Sequence, residues 1–164
     1  MKTIYLIGGA MGVGKTAVGQ ILKRKLNNSV FLDGDWCWDA DPFIVTDETK
    51  VMALDNIRNL LNNFLHCSAY KNIIFCWVMH EQEIIDDLLA GLDVSDCEIK
   101  KISLICNENS LKKRLEGDIE KGIRDTNIIE RSLARLPMYD KLDTTKIDTS
   151  LLTAIEVAEK IAQL

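Results

Sequence analysis

Apolar residues along the chain follow two alternating rhythms. Short, nearly unbroken apolar runs occur at Thr3-Ile4-Tyr5-Leu6-Ile7, Ser29-Val30-Phe31-Leu32, Asn72 to Val78, Ile102-Ser103-Leu104-Ile105-Cys106 and Thr145-Lys146-Ile147-Asp148. Runs of this length, rich in β-branched residues, predict strands, and those apolar on both faces predict central positions in a sheet. Between them the apolar positions recur at helical spacing. Residues 17–26 place Val18, Ile21, Leu22 and Leu26 together. Residues 48–67 do the same for Val51, Leu54, Ile57, Leu61, Phe64 and Leu65. Further helices are predicted over 81–90, stopping near Gly91, over 110–120, and over 127–140, where Pro137 breaks or kinks the helix. A last helix is expected to start with Ser150 as its N-cap and to line one face with Leu151, Ile155, Ala158, Ile161 and Ala162. Residues 36–47, interrupted by Pro42, read as irregular.

Strands alternating with helices predict an α/β fold with a parallel sheet covered on both faces. In such folds ligands bind beyond the carboxyl ends of the strands. The residues just after each strand are therefore the ones to examine for chemistry.

With 164 residues, 47% of them hydrophobic, the chain suits one domain over residues 1–164. A net charge of −5 argues against an overall nucleic-acid footprint. The five cysteines are odd in number and lack a C-x-x-C pair, so neither a disulfide framework nor a zinc site is expected, and Cys76 and Cys106 read as core residues. No leader and no membrane-spanning run is evident, and a reduced, cytoplasmic protein is expected. Oligomeric state is open at this point.

The first strand runs directly into Gly9-Ala10-Met11-Gly12-Val13-Gly14-Lys15-Thr16. This segment fills the phosphate-loop pattern G-x-x-x-x-G-K-[ST], and a predicted helix beginning at Ala17 follows it. Glycines let the backbone wrap a polyphosphate, the helix contributes its positive end, Lys15 can reach the β- and γ-phosphates, and the Thr16 hydroxyl can ligate Mg²⁺. A nucleoside triphosphate ligand follows from this loop, with residues 9–17 as its binding segment.

The second strand ends in Asp33-Gly34-Asp35. Asp and Gly suit a tight turn, but the turn falls beside the phosphate loop. One carboxylate there can serve Mg²⁺ through water, and the other can accept the proton of an attacking hydroxyl.

The loop GGAMGVGKT, the strand end LDGD and the late IDTS segment resemble the small P-loop phosphotransferases, a group that includes shikimate, gluconate and adenylylsulfate kinases and chloramphenicol phosphotransferase. The resemblance of layout covers essentially the whole chain. It implies a three-layer fold with a five-stranded parallel sheet and an arginine-bearing lid, here about 114–135. It also implies transfer of the ATP γ-phosphate, with Mg²⁺, to a hydroxyl of a small-molecule acceptor. On the same basis Asp35 engages the acceptor and Asp33 joins the metal shell.

The third strand ends Trp77-Val78-Met79-His80-Glu81, without an acidic tip, which speaks against a motor ATPase. His80 either lines the acceptor pocket or caps the next helix. Arg58, at the edge of an apolar stripe, either snorkels to solvent or recognises a polar acceptor. Trp36, with Trp38 and Phe43, either packs against a flat acceptor or forms a core flap. Among the lid arginines, Arg124 and Arg131 are expected on the migrating phosphoryl group, and Arg114 on adenine by the resemblance. Thr145-Lys146-Ile147-Asp148 matches the guanine motif T-K-x-D, but no D-x-x-G switch accompanies it, so ATP is the expected nucleotide. Two alternatives stand beside the kinase reading: a nucleoside or nucleotide kinase, and a nucleotide-binding regulatory module without turnover.

Overall fold

The apolar runs fold as five strands: β1 (Lys2–Gly9), β2 (Ser29–Asp33), β3 (Asn72–Cys76), β4 (Cys97–Ile105) and β5 (Thr145–Asp148). Six helices join them: α1 (Lys15–Lys25), α2 (Asp47–His66), α3 (Gln82–Ala90), α4 (Glu108–Glu120), α5 (Ile128–Arg135) and α6 (Ala154–Ala162). Two 3₁₀ turns, Gly34–Cys37 and Leu136–Lys141, complete the chain. The computed structural model describes all 164 residues.

Every strand pairing is parallel, in the order β2-β3-β1-β4-β5. Ile4 lies opposite Ile73 of β3 on one side and Ile99 of β4 on the other, so β1 is central. Its Ile4, Leu6 and Ile7, and Ile73, Ile74, Phe75 and Cys76 of β3, are fully buried or nearly so. Helix α1 packs beside α6 and against β2 and β3, and α2 contacts β3. The chain leaves β1 toward β2 and leaves β4 toward β5, so a crevice opens between these diverging connections at the carboxyl ends of the central strands.

Three expectations about elements need correction. The last helix starts not at Ser150 but after Thr153, whose hydroxyl and backbone N–H form a reciprocal capping box with Glu156. Ser150 instead donates through both its N–H and its hydroxyl to the Asp148 carboxylate, and Leu151 is 95% exposed. The buried stripe of α2 is Ala53, Ile57, Leu61 and Leu65, whereas Val51 is exposed. Residues 34–37 are a 3₁₀ turn rather than irregular, because the Asp33 carboxylate accepts the Asp35 N–H and winds the chain tightly. The remaining element boundaries shift by only a few residues. All five cysteines are free, with Cys76 and Cys106 buried.

Pro137 ends α5 as an α-helix, and the 3₁₀ turn that follows carries Tyr139 into the core, where it is fully buried. Its hydroxyl donates to the Val78 carbonyl at 2.6 Å, and that carbonyl also accepts the Gly9 N–H at 3.3 Å. One bond therefore ties the foot of the α4–α5 region to the strand ends that carry the phosphate loop. Tyr139→Phe leaves the carbonyl one partner and is expected to lower stability by about 1 kcal/mol, or about 2–4 °C in thermal midpoint. Thermal unfolding followed by circular dichroism checks this, and an unchanged midpoint would show that the bond contributes nothing net.

Candidate active site

The phosphate loop forms because β1 ends in the sheet while α1 starts behind it, leaving residues 10–14 to turn between them. Gly12 and Gly14 take positive φ values of 85° and 105°, which side chains resist. A Cβ on Gly12 would also run into Leu115 of α4. Ala10 and Val13 are buried beneath the loop, and Val13 donates its N–H to Ala10. Met11, Gly12, Gly14, Lys15, Thr16 and Ala17 line a cleft of about 310 Å³, completed by Asp33, Asp35, Val78, Arg114, Asp118 and Arg124. The first N–H groups of α1, which have no acceptor within the helix, sit at Lys15 to Ala17 beside this cleft.

Lys15 donates from Nζ to the carbonyls of Gly9, at 2.8 Å, and Ala10, at 3.1 Å. Burial strips water from the ammonium and brings its pKa down to about 8, with Arg124 adding to the effect and the Asp35 and Asp33 carboxylates opposing it. A triphosphate favours the charged amine, so nucleotide binding near pH 8 is expected to take up a proton. Affinity should then fall as pH rises above 8, approaching about tenfold per pH unit, and flatten below about pH 7. Calorimetry in two buffers of different protonation enthalpy measures the uptake, and identical heats in both would refute it.

Asp33, at the tip of β2, is buried. Its Oδ2 accepts the Thr16 hydroxyl at 2.6 Å and its Oδ1 accepts the Asp35 N–H at 3.1 Å. The segment is a tight turn that also lies beside the phosphate loop: the same carboxylate shapes the turn and reaches the first residue after Lys15. Asp35 keeps access to solvent, but the protein around its carboxylate and the Asp33 charge push its pKa up, against the pull of Lys15, Arg124 and Trp77. A carboxylate held this way is a stronger base than usual.

A second cavity, of about 570 Å³, opens next to the cleft. Its walls include Trp38, Phe43, Trp77, His80, Arg131 and Arg135. Met11, Asp35 and Val78 line both spaces, and Asp35 is the one of these that ionises. A group bound in the larger cavity and a phosphate bound in the cleft would thus meet at one carboxylate.

The arginine-bearing segment brings Arg124 to the cleft, where its Nε donates to Asp118 of α4 at 3.1 Å. Arg131, expected on the phosphates beside it, lies on α5 and lines the larger cavity instead of the cleft. Arg114 is fixed by bonds to the carbonyls of Val13 and Thr149 and to the Thr149 hydroxyl. It borders both the cleft and a recess of about 160 Å³ walled by Val18, Leu152 and Val157.

Two expected acceptor residues lie elsewhere. Trp36 is 60% exposed and packs edge-on against Phe31, because the 3₁₀ turn swings it outward and brings Trp38 in. Arg58 lies across Gly91 and donates to the Asp87 carbonyl and to Asp55, clamping α2 to α3. His80 lines the larger cavity, and its Nδ1 is buried without a hydrogen-bond partner. Burial and the Arg135 charge hold its pKa below the usual imidazole range. Asp118 and Trp77 carry no sequence signal of their own as site residues, and Arg135, one of the four arginines between the fourth and fifth strands, lines the larger cavity with Arg131. Asp118 is one acid among several on a charged helix, and only contact with Arg124 distinguishes it.

The family model for the AAA domain matches residues 6–134 of the chain. The shikimate kinase of Thermodesulfovibrio yellowstonii is 28% identical over 98% of this chain and 93% of its own length. Among solved structures, the tunicamycin resistance protein of Deinococcus radiodurans superposes with a TM-score of 0.75 at 23% identity, covering 99% of this chain and 95% of that one. A gluconokinase from Sinorhizobium meliloti gives 0.64 at 16% identity, covering 99% and 96%. No helix is long and apolar enough to cross a membrane.

Proposed function

The chain belongs to the AAA-domain family, and on that premise we propose that it is an ATP- and Mg²⁺-dependent phosphotransferase that moves the γ-phosphate to a hydroxyl of a small molecule. The observation that carries this reading is the sharing of Asp35 between the phosphate-loop cleft and the larger cavity. The similarity to a shikimate kinase over nearly the whole chain supports it.

In this reading the loop N–H groups, Lys15 and the start of α1 hold the ATP phosphates. The Thr16 hydroxyl and the Asp33 carboxylate, 2.6 Å apart at the cleft wall, fit Mg²⁺, which keeps much of its water and needs few protein ligands. When bound, Mg²⁺ neutralises charge on the β- and γ-phosphates. The acceptor hydroxyl sits beside Asp35, which takes its proton as the oxygen attacks the γ-phosphorus. The bond from that phosphorus to the β-phosphate oxygen breaks, and ADP carries the electron pair away. Arg124 cradles the equatorial oxygens as charge spreads over them, released from or shared with Asp118. Arg114 borders the recess on the side where the nucleotide base would extend.

A screen with labelled ATP, Mg²⁺ and pooled metabolites, read by mass spectrometry, tests the proposal. The expected result is a phosphorylated product and ADP formation that depends on the acceptor. ATP breakdown at the same rate with and without metabolites would favour a simple hydrolase, and binding without any turnover would favour a regulatory module.

A further inference from the structure

The walls of the larger cavity restrict what can sit there. Nine of its fifteen lining residues are hydrophobic. Trp38 and Phe43 lie ring to ring, 4.3 Å between centroids and tilted by 31°, and Val45, Trp77, Met79 and Ile84 line the same space. Phe43 and Val45 are 58% and 56% exposed, so this surface stands open at the rim. The polar lining is charged or ionisable throughout: Asp35, Asp39, His80, Arg131 and Arg135. No serine, threonine, asparagine, glutamine or tyrosine lines the space.

These two facts bear on the acceptor class. A polyol carries a hydroxyl on nearly every carbon, and each one buried without a partner costs about 1–3 kcal/mol. Here amide and hydroxyl side chains are absent, and only five ionisable residues among fifteen, Asp35, Asp39, His80, Arg131 and Arg135, can supply such partners. The apolar wall instead rewards an apolar body. Arg131 and Arg135 are four residues apart on α5 and so share a face. Neither takes part in any ion pair of the chain. Two unpaired guanidinium groups on one helix face lining a largely apolar cavity suit an anionic group on the ligand.

We infer that the acceptor is a hydroxyl-bearing molecule with an apolar, ring-sized body and an anionic group, and not a sugar or sugar acid. This rests on the phosphotransferase reading for the role of its hydroxyl, which faces Asp35. The body lies on Trp38, Phe43 and Trp77, and the anionic group meets Arg131 and Arg135.

Binding and transfer are measured separately so that the two readings fail separately. Aryl hydroxy acids (mandelate, phenyllactate and tropate) and the polyol acids gluconate and quinate are titrated into the protein with ADP and Mg²⁺, following tryptophan fluorescence and calorimetry. The same compounds are then offered with ATP. The aryl set is expected to bind at least about tenfold more tightly than the polyol set, a difference of about 1.4 kcal/mol. Phe43→Ala, at an exposed rim position, should erase most of that preference. Arg131→Gln should weaken the aryl acids but not the matching neutral aryl alcohols. Polyol acids binding as well as aryl acids, no binding by any aryl probe, or unchanged aryl affinity in Phe43→Ala would each overturn the inference. Aryl binding with the expected variant effects but no phosphorylated product would uphold the pocket assignment and count against the phosphotransferase reading alone.

Discussion

Asp35→Asn is expected to slow phosphoryl transfer by about 10²–10⁴ while ATP binds as before or slightly more tightly. The substitution keeps the shape of the side chain and removes its ability to take a proton. It also removes one negative charge from a cleft built for phosphates, so the nucleotide should lose nothing. The size of the effect follows from position: Asp35 borders both cavities, and its pKa is raised by partial burial and by Asp33. Single-turnover transfer to the acceptor identified by the metabolite screen, alongside direct ATP binding, separates the two effects. Loss of ATP binding together with activity would mean that the residue serves the nucleotide rather than the hydroxyl. A variant that transfers at the normal rate would remove Asp35 from the chemistry.

Lys15→Ala is expected to lower kcat/KM by about 10²–10³, with weaker ATP binding as part of the loss. The ammonium bonds only to the carbonyls of its own loop, Gly9 and Ala10, so its removal should leave the fold intact. That makes the variant a clean probe of phosphate stabilisation. Lys15→Arg should not restore full activity, because a planar guanidinium presents its donors in a fixed fork and cannot reproduce the compact ammonium that bonds the Gly9 and Ala10 carbonyls. Kinetics with circular dichroism as the folding control check both statements.

Much of the architecture was legible because single local signals agreed with the global fold. The run Ile4 to Ile7 is buried on both faces, and only a central parallel strand meets that pattern. The loop after it needs glycine at two left-handed positions, and the sequence supplies both. The Asp33-Gly34-Asp35 turn was expected beside the phosphate loop, and there Asp33 accepts the Thr16 hydroxyl.

The misplaced residues have a different cause: backbone geometry and packing that spacing alone does not reveal. Arg58 has the spacing of a residue at the edge of a stripe, but Gly91, thirty-three positions later, provides the bare backbone on which it lies. Trp36 and Trp38 look equivalent in sequence, and the Asp33 carboxylate decides between them by winding residues 34–37. Arg131 and Arg124 both belong to the arginine-bearing segment, but Arg124 lies in the bend between α4 and α5 at the cleft, whereas Arg131 lies on α5 beside the larger cavity. The last helix is the exception, because Thr153-x-x-Glu156 is itself a capping-box pattern and outranks Ser150, which Asp148 already holds.

A crystal structure with Mg²⁺ and a non-hydrolysable ATP analogue addresses the arrangement at the centre of this account. Lys15 is expected to leave the Gly9 and Ala10 carbonyls for the phosphates, the metal to contact the Thr16 hydroxyl, and the γ-phosphate to face the larger cavity across Asp35. A γ-phosphate pointing away from Asp35, or shut off from the cavity walled by Trp38 and Phe43, would contradict it.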